Sequence, residues 1–161
     1  MARFEFRGIE EYINKLDTFR LVTKDSIIAR TTYAGAAVVA NAVRKSIEAL
    51  PVGSGRSEDG GLIDTVTAAQ KRGLLDGFGI SPMHDEDGFI NVKLGFDGYN
   101  SVKTRKFPKG QPNVLIARAV NSGNSFRKKT KFVDKAVRAS KKAAEAAMDA
   151  ACSREIEKIM K

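Results

Sequence analysis

The sequence predicts an α+β fold in which two long helices pack on a small antiparallel β-sheet, joined by long Gly/Pro-rich loops. Two long segments carry apolar residues at steps of three and four, the period of a helix that is buried on one side. Between these segments, Ile90, Val92 and Leu94 alternate with polar residues, the period of a half-buried strand. With 161 residues and no internal repeat, the chain is expected to form a single domain over 1–161.

The first long helix lies within residues 9–50, which are helical in pattern, and its long part spans 24–50. Asp25 is placed to cap the start of this part, and Pro51 is placed to close it. One face carries the apolar residues at helical spacing, namely Ile28, Thr32, Ala36, Val39, Val43, Ile47 and Leu50.

Two short elements are predicted after this helix. Residues 51–61 are rich in Gly and Ser but lack the Gly-Lys-Ser/Thr ending of a phosphate-binding loop, which indicates a flexible surface connection. A short helix at 64–77 follows, with Asp64 or Thr65 as its cap and Gly77 at its end.

An acidic stretch, 83–88, lies inside a predicted hairpin at about 78–96. It holds the only histidine and three carboxylates, a composition that also occurs in metal sites. A calcium loop spreads its ligands over about twelve residues and ends in Glu, whereas the twelfth position from Asp85 is Phe96. We therefore interpret the stretch as an acidic hairpin turn and predict no metal ligand and no cofactor.

The second half of the chain begins with a loop, 97–112, punctuated by Gly, Asn and Pro. Residues 113–120 are mostly apolar and short, so periodicity does not distinguish a helix from a strand. We favour a short helix capped by Asn113 and ended by residues 121–123. A C-terminal helix is predicted over 132–160.

The two long helices are expected to pack against each other through small residues, which allow two helices to approach closely. These residues share one face of each helix: Gly35, Ala36 and Val39 on the first, and Ser140, Ala144 and Ala147 on the last.

Few residues of this chain are suited to catalysis. With one His, one Cys and no Trp, most catalytic triads and zinc sites cannot be assembled, so the chain is not expected to be an enzyme. Cys152 lies in an Ala-rich stretch and is interpreted as a small packed residue. No segment is long enough to span a membrane, and the first residues lack the apolar core of a signal peptide.

The charge is distributed very unevenly. Residues 1–100 carry 12 basic and 14 acidic side chains, whereas residues 101–161 carry 16 and 5. This asymmetry predicts a directional field whose basic side meets nucleic acid, an acidic protein surface or a charged membrane. The candidate contact residues are Lys103, Arg105, Lys106, Lys109, Arg127, Lys128, Lys129 and Lys131.

These basic residues form two clusters that flank the 113–120 segment. If that segment is a helix, its ends are only about 12 Å apart, so the clusters are expected to lie at one end of the domain and act as one field. The alternative is that residues 127–131 are a solvated surface loop without a partner.

Three segments of the chain form a distinctive pattern, namely Gly73-Leu74-Leu75-Asp76, residues 117–125 and residues 131–136. This pattern resembles the head–tail connector and tail-completion proteins of long-tailed bacteriophages. In that family a Thr-Gly-Leu-x-Asp element comes first, an Ala-Arg-x-Val-Glu-x-Gly-Thr-Ser segment precedes a basic loop, and Pro-Phe-Val/Leu-x-x-Ala opens the last helix. The positions that carry the resemblance are Gly73, Leu74, Gly95, Gly98, Gly110, Ala117, Gly123, Ser125 and Phe132.

The chain departs from the family pattern at four positions. Asn121 stands at the usual Glu, Asn124 at the Thr, Lys131 at the Pro and Arg72 at the first Thr. These changes leave the glycines of the turns and the Phe of the helix start in place. They put any contact made by the family's Glu in question.

The resemblance implies a phage or prophage structural protein of the neck that assembles as a ring and closes the tail, without catalysis. It implies a ring of identical copies, with six favoured and twelve possible, between head-completion or connector proteins and tail-tube proteins. The resemblance also implies contact with packaged DNA, and it implies no contact with a membrane. The expected location is the virion, after assembly in the host bacterial cytoplasm. The alternative is a basic nucleic-acid-binding protein, which the charge permits although no known reading motif is present.

Overall fold

The computed structural model describes residues 9–22, 26–57 and 60–160, and within them the fold is α+β. Its helices are α1 (Ile9–Val22), α2 (Ile28–Glu48), α3 (Ala68–Gly77), α4 (Asn113–Ser122) and α5 (Phe132–Met160). Its strands are β1 (Phe78–Ile80), β2 (His84–Glu86), β3 (Phe89–Asn91) and β4 (Leu94–Phe96). The predicted fold class is confirmed, but two antiparallel pairs of strands replace the single expected sheet.

The four strands form one nested hairpin that is interrupted in the middle. β1 pairs with β4, and β2 pairs with β3 farther out. Pro82 lies at the interruption and has no N–H to continue the ladder. At the tip, Asp87 and Gly88 have φ of 55° and 85°, the left-handed pair that a two-residue hairpin turn requires. The interpretation of the acidic stretch 83–88 as a hairpin turn is therefore confirmed for its last two residues, whereas His84–Glu86 form strand β2.

The long helices α2 and α5 pack against each other through small residues, as predicted. A Cβ atom on Gly35 would lie 2.6 Å from Met148 Cγ and 3.5 Å from the Ala144 carbonyl oxygen. Ala36, Ser140 and Ala144 are buried along the same contact, whereas Ala147 and Val39 are half-buried. Helices packed this closely leave no room for a larger side chain at Gly35 without displacing Met148.

The core lies where α2, α3, α4 and the start of α5 meet. Ile47, Leu74 and Val66 are among its most buried side chains. The rings of Phe78 and Phe96 lie 5.0 Å apart, and the ring of Phe96 lies 6.4 Å from that of Phe132. This row of rings joins the inner strands to the beginning of the last helix.

The long helical pattern over 9–50 is divided into two helices, α1 and α2. The predicted start at residue 24 and the predicted Asp25 cap lie outside the described residues. α2 ends at Glu48, and Lys71 Nζ donates hydrogen bonds to the carbonyl oxygens of Glu48 and Leu50. A lysine from α3 thus satisfies carbonyls that the end of α2 leaves free.

The short helix predicted over 64–77 begins later than expected, at Ala68. Thr67 is its cap: Thr67 Oγ1 accepts from Gln70 N, and Gln70 Oε1 accepts from Thr67 N, both at 3.1 Å. The prediction of Asp64 or Thr65 as cap is wrong because this segment is extended, with Val66 N donating to the Pro51 carbonyl at 2.9 Å. The predicted end at Gly77 is confirmed.

The ambiguous segment 113–120 is a helix, α4, but Asn113 does not cap it. Pro112 occupies the cap position, and Asn113 is the first helical residue. The Asn113 amide instead donates through Nδ2 to the Asp97 carbonyl at 2.8 Å, which ties α4 to the end of the hairpin. Gly123 ends the helix as predicted, and α5 begins and ends where the sequence pattern placed it.

Within the described ranges, none of the helices is long and apolar enough to cross a membrane.

Candidate functional site

The predicted contact residues lie on two loops that leave opposite ends of α4. We call residues 101–109 the first basic loop and residues 124–131 the second basic loop. Seven of the eight basic side chains are exposed to solvent: Lys103, Arg105, Lys106, Lys109, Lys128, Lys129 and Lys131. Arg127 is only 7% exposed, so it is not available to a partner in the way that its neighbours are.

Arg127 holds the second basic loop onto the body of the protein. Its Nη1 atom donates a 2.6 Å hydrogen bond to the Thr65 carbonyl oxygen. Burial lowers the pKa of the guanidinium below its ordinary value, but an arginine keeps its charge at neutral pH. The prediction that Arg127 belongs to the contact surface is therefore wrong. The one sequence signal for its role is the choice of Arg among lysines, since a buried cation is more often Arg.

The backbone of the second basic loop is fixed by two sets of hydrogen bonds. Asn124 and Arg127 exchange bonds across a tight turn, at 3.0 and 3.3 Å. Ile63 N donates to the Phe126 carbonyl and Lys128 N donates to the Ile63 carbonyl, each at 2.9 Å. The loop thus adds a short parallel pairing to the extended segment that precedes α3. Lys128 and Lys129 consequently project from a backbone that has little freedom.

Hydrogen bonds of Asn121 and Thr130 hold the junction between the second basic loop and α5. Its Oδ1 atom accepts a 3.0 Å hydrogen bond from Val133 N in the first turn of α5. Thr130 bonds back to the Val120 carbonyl through both its backbone N–H and its hydroxyl, at 3.1 and 2.8 Å. Asn121 stands where the resembling family has Glu, and both side chains offer an oxygen acceptor to a helix N-terminus. In this chain, Asn121 therefore acts as an acceptor at the start of α5.

The first basic loop is held mainly by bonds within itself. Thr104 and Phe107 exchange backbone hydrogen bonds at 3.1 and 3.0 Å around the tip. Below the tip, Gln111 N donates to the Val102 carbonyl, and Asn100 N donates to the Gln111 carbonyl, both at 3.0 Å. Gly110 closes the base with φ of 115°, and a Cβ there would overlap the Asn100 carbonyl oxygen. Only a glycine fits this position.

The helix between the two basic loops is longer than the sequence suggested. α4 spans ten residues, from Asn113 to Ser122, so its ends are separated by about 15 Å rather than about 12 Å. That separation exceeds the Debye length of about 8 Å at physiological salt. That the two clusters lie at one end of the domain and act as one field stays a prediction.

Most positions that carry the family resemblance have a packing role in this fold. Leu74, Ala117 and Phe132 are core residues, and Gly98 follows β4 beside Asn113. A Cβ on Gly73 would lie 2.7 Å from both Asn100 Cβ and Asn113 Oδ1. Because Gly73 has no side chain, the backbone of α3 can pack directly against these two asparagines. Two positions have no such role: Gly95 and Ser125 are exposed.

Two features of this region were not identified from the sequence. A cavity of about 540 Å³ lies between α3 and residues 99–101. Asn100 and Asn113 border it, and their Nδ2 and Oδ1 atoms, respectively, are buried with no hydrogen-bond partner in the described part of the chain. A second cavity, of about 290 Å³, lies beside the second basic loop. Its lining is Leu62, Ser122, Gly123, Asn124, Arg127, Lys128 and Lys129.

Across the described ranges, no three His, Cys, Asp or Glu side chains come close enough together to hold a metal ion. The chain has no significant match among protein-family models, curated proteins or solved structures.

Proposed function

We propose that this chain is a structural protein of the head–tail interface of a long-tailed phage or prophage. In this role it is a tail-completion or neck protein that assembles as a ring and joins the tail to the head. Its partners are further copies of itself, with six favoured, together with connector and tail-tube proteins. Its place is the neck of the virion, and its action is non-catalytic.

The observation that carries the proposal is the fit between the family-like residues and the turns of this fold. Gly110 and Gly123 both have positive φ, and Phe132 begins the last helix from within the core. Asn121, at the family's Glu position, caps that same helix. Residues that a family pattern repeats for backbone reasons are expected at such positions, which supports the resemblance.

The second basic loop supplies the surface that a neck protein needs. Lys128 and Lys129 are exposed on a backbone fixed by Arg127 and Ile63. Charges presented on a fixed backbone lose little conformational freedom on binding. Against an acidic neighbour they would orient the docking of one component on the next and speed it.

Negative-stain imaging of the purified protein tests this proposal, alone and after mixing with tail tubes and with capsids from the phage that carries the gene. We expect rings at the head-proximal end of the tubes, and tubes that then attach to capsids. Tubes and capsids that join equally well without the protein would contradict the proposal.

The alternative is a nucleic-acid-binding protein, and the exposed first basic loop favours it. Lys103, Arg105, Lys106 and Lys109 follow Tyr99 in the chain, and the Tyr99 side chain is 67% exposed and could stack on a base. DNA binding measured against salt separates the two functions. Tight binding by the isolated chain with a steep salt dependence favours this alternative, because each phosphate contact releases a counterion.

A further inference from the structure

We propose that copies of this chain associate head to tail, with the acidic tip of one copy's hairpin bound at the second basic loop of the next. In this arrangement Phe89 enters the 290 Å³ cavity beside Lys128 and Lys129. The inference rests on the proposed function as a ring-forming protein and identifies the contact that builds the ring.

The outer half of the hairpin is exposed in the single chain. Every residue of β2 is exposed, and Phe89, at the start of β3, is 80% exposed, the highest value of any large apolar side chain described. Glu86 lies opposite Phe89 across the hairpin, and Asp85 and Asp87 of the same tip are also exposed. An exposed aromatic ring on an acidic tip is costly to leave in water and is a common anchor in interfaces.

The tip is already in a defined conformation before it meets a partner. Asp85 Oδ1 accepts a 2.8 Å hydrogen bond from Gly88 N across the turn. Behind the tip, Glu86 and Lys93 form an ion pair with a separation of 2.7 Å. Because the turn is fixed, binding it costs less conformational entropy than ordering a free loop would.

The cavity beside the second basic loop matches the tip in polarity and charge. Leu62 and Gly123 form part of its wall, and the carbon chains of Lys128 and Lys129 extend it. Every charged residue in its lining is basic. Leu62 and the nearby Phe126 are 55% and 60% exposed, so apolar surface continues beyond the cavity.

Three larger cavities fit this tip less well, because each has an aspartate in its lining. The 540 Å³ cavity has Asp76 beside Arg72, one of about 440 Å³ has Asp97 beside Lys93, and one of about 300 Å³ has Asp64 beside Arg56. These aspartates would repel the carboxylates of the tip. Charge complementarity therefore assigns the hairpin to the second basic loop.

The geometry of such a contact leads to a ring or a filament. The hairpin and the cavity are different surfaces of the chain, so each copy offers one of each and the contact is heterologous. Heterologous contacts close into rings when the rotation between copies allows it. A neck ring built this way would need no second type of self-contact.

Sedimentation velocity of the full chain tests the contact with two complementary variants. Phe89→Ser removes the anchor but leaves the cavity intact, and the pair Lys128→Glu and Lys129→Glu reverses the cavity but leaves the hairpin intact. Each variant alone should associate at least about 30-fold more weakly than the unmodified chain, the effect of losing an interface hot spot. Mixed together they should form a 1:1 dimer and nothing larger, because only one competent hairpin and one competent cavity remain per pair.

Matched variants supply the controls. Lys103→Glu with Lys106→Glu makes the same charge change in the first basic loop and should leave self-association unchanged. Asp85→Asn with Asp87→Asn keeps the turn but removes its charge, and should reduce both the association and its sensitivity to salt. Circular dichroism of each variant establishes that it is folded.

Any one of three results would overturn the inference. These are Phe89→Ser associating as strongly as the unmodified chain, the mixed variants remaining monomeric, and the unmodified chain staying monomeric at every soluble concentration. These failures are separate from a failure of the proposed function. Rings that form on tail tubes with the Phe89→Ser protein would leave the neck function standing without this contact. Rings that depend on the hairpin but never join tails to heads would support this contact and contradict the neck function.

Discussion

The two basic loops have similar compositions but are built differently. The first basic loop, 101–109, is closed by backbone bonds within itself and by Gly110 at its base. The second basic loop, 124–131, is bonded to the segment before α3, to the end of α4 and, through the Lys131 carbonyl and Lys135 N, to the start of α5. One of its four cations, Arg127, is turned inward onto a carbonyl oxygen.

This difference shows that a run of positive charge can combine two roles. In the second basic loop Arg127 fixes the backbone, and Lys128 and Lys129 use the fixed backbone to present charge. Arginine is suited to the first role because its guanidinium tolerates burial better than an ammonium group. Reversing the charge of neighbouring basic residues, one at a time, should therefore change the free energy of unfolding by very different amounts.

Reversal of Arg127 should have the largest effect on stability. Arg127→Glu places a carboxylate against the Thr65 carbonyl in a buried site, and we expect a loss of about 3–5 kcal/mol in the free energy of unfolding. Lys128→Glu makes the same charge change one residue later on an exposed side chain and should stay within about 0.5 kcal/mol. Urea denaturation of both variants measures the difference, and equal stabilities would refute the anchoring role of Arg127.

Gly110→Ala tests whether the first basic loop is rigid at its base. Because the new methyl group would overlap the Asn100 carbonyl oxygen at a positive φ, we expect a cost of about 2–4 kcal/mol. Gly95→Ala is the matched control, since a Cβ there meets no atom within 4 Å. If Gly110→Ala melts at the same temperature as Gly95→Ala, the base of the loop is not closed as described.

Removal of the Asn121 cap should have a smaller effect. Asn121→Ala removes the acceptor for Val133 N and should cost about 1 kcal/mol, a typical value for a helix cap. Asn121→Asp keeps the oxygen and should retain most of the stability. Hydrogen exchange at the start of α5 provides the readout, and unchanged protection in Asn121→Ala would show that the side chain is not a cap.

The smallest effect concerns the ion pair behind the hairpin tip. Lys93 lowers the pKa of the Glu86 carboxyl below its ordinary value. The ion pair therefore stabilises the hairpin fully at pH values above the ordinary pKa of a glutamate. The stabilisation is lost as the pH falls through the lowered pKa of the folded state. NMR titration should show β2 and β3 loosening in acid while the second basic loop, which contains no carboxylate, is unaffected. A Glu86 that titrates at or above its ordinary pKa would contradict this assignment.

Local signals in the sequence were enough to predict several elements. A hairpin turn within the acidic stretch, the end of α4 within 121–123 and the span of α5 all follow from short-range conformational preferences, and the structure has them where expected. The small-residue contact between α2 and α5 follows from helical periodicity. These features depend on residues that are close in sequence or repeat at a fixed spacing.

The predictions that failed depend on contacts between distant parts of the chain. Asn113 resembles a helix cap in sequence, but its side chain donates a hydrogen bond to the Asp97 carbonyl instead. Thr65 was a plausible start for α3 until the pairing of Val66 with Pro51 held that segment extended. The choice of Arg at position 127 among lysines is a weak signal of burial, but its partner, the Thr65 carbonyl, lies far away in the sequence. No local pattern encodes these partners.

The most direct test of the account is complementation of head–tail joining by a variant that reverses only the exposed charges of the second basic loop. Lys128→Glu with Lys129→Glu should fold with an unchanged melting temperature and fail to join heads to tails in phage that lack the native gene. Lys141→Glu with Lys142→Glu, an equal charge change at exposed positions of α5, should complement normally. Normal yields of infectious particles from the Lys128/Lys129 variant would contradict the account and leave the second basic loop as a solvated surface.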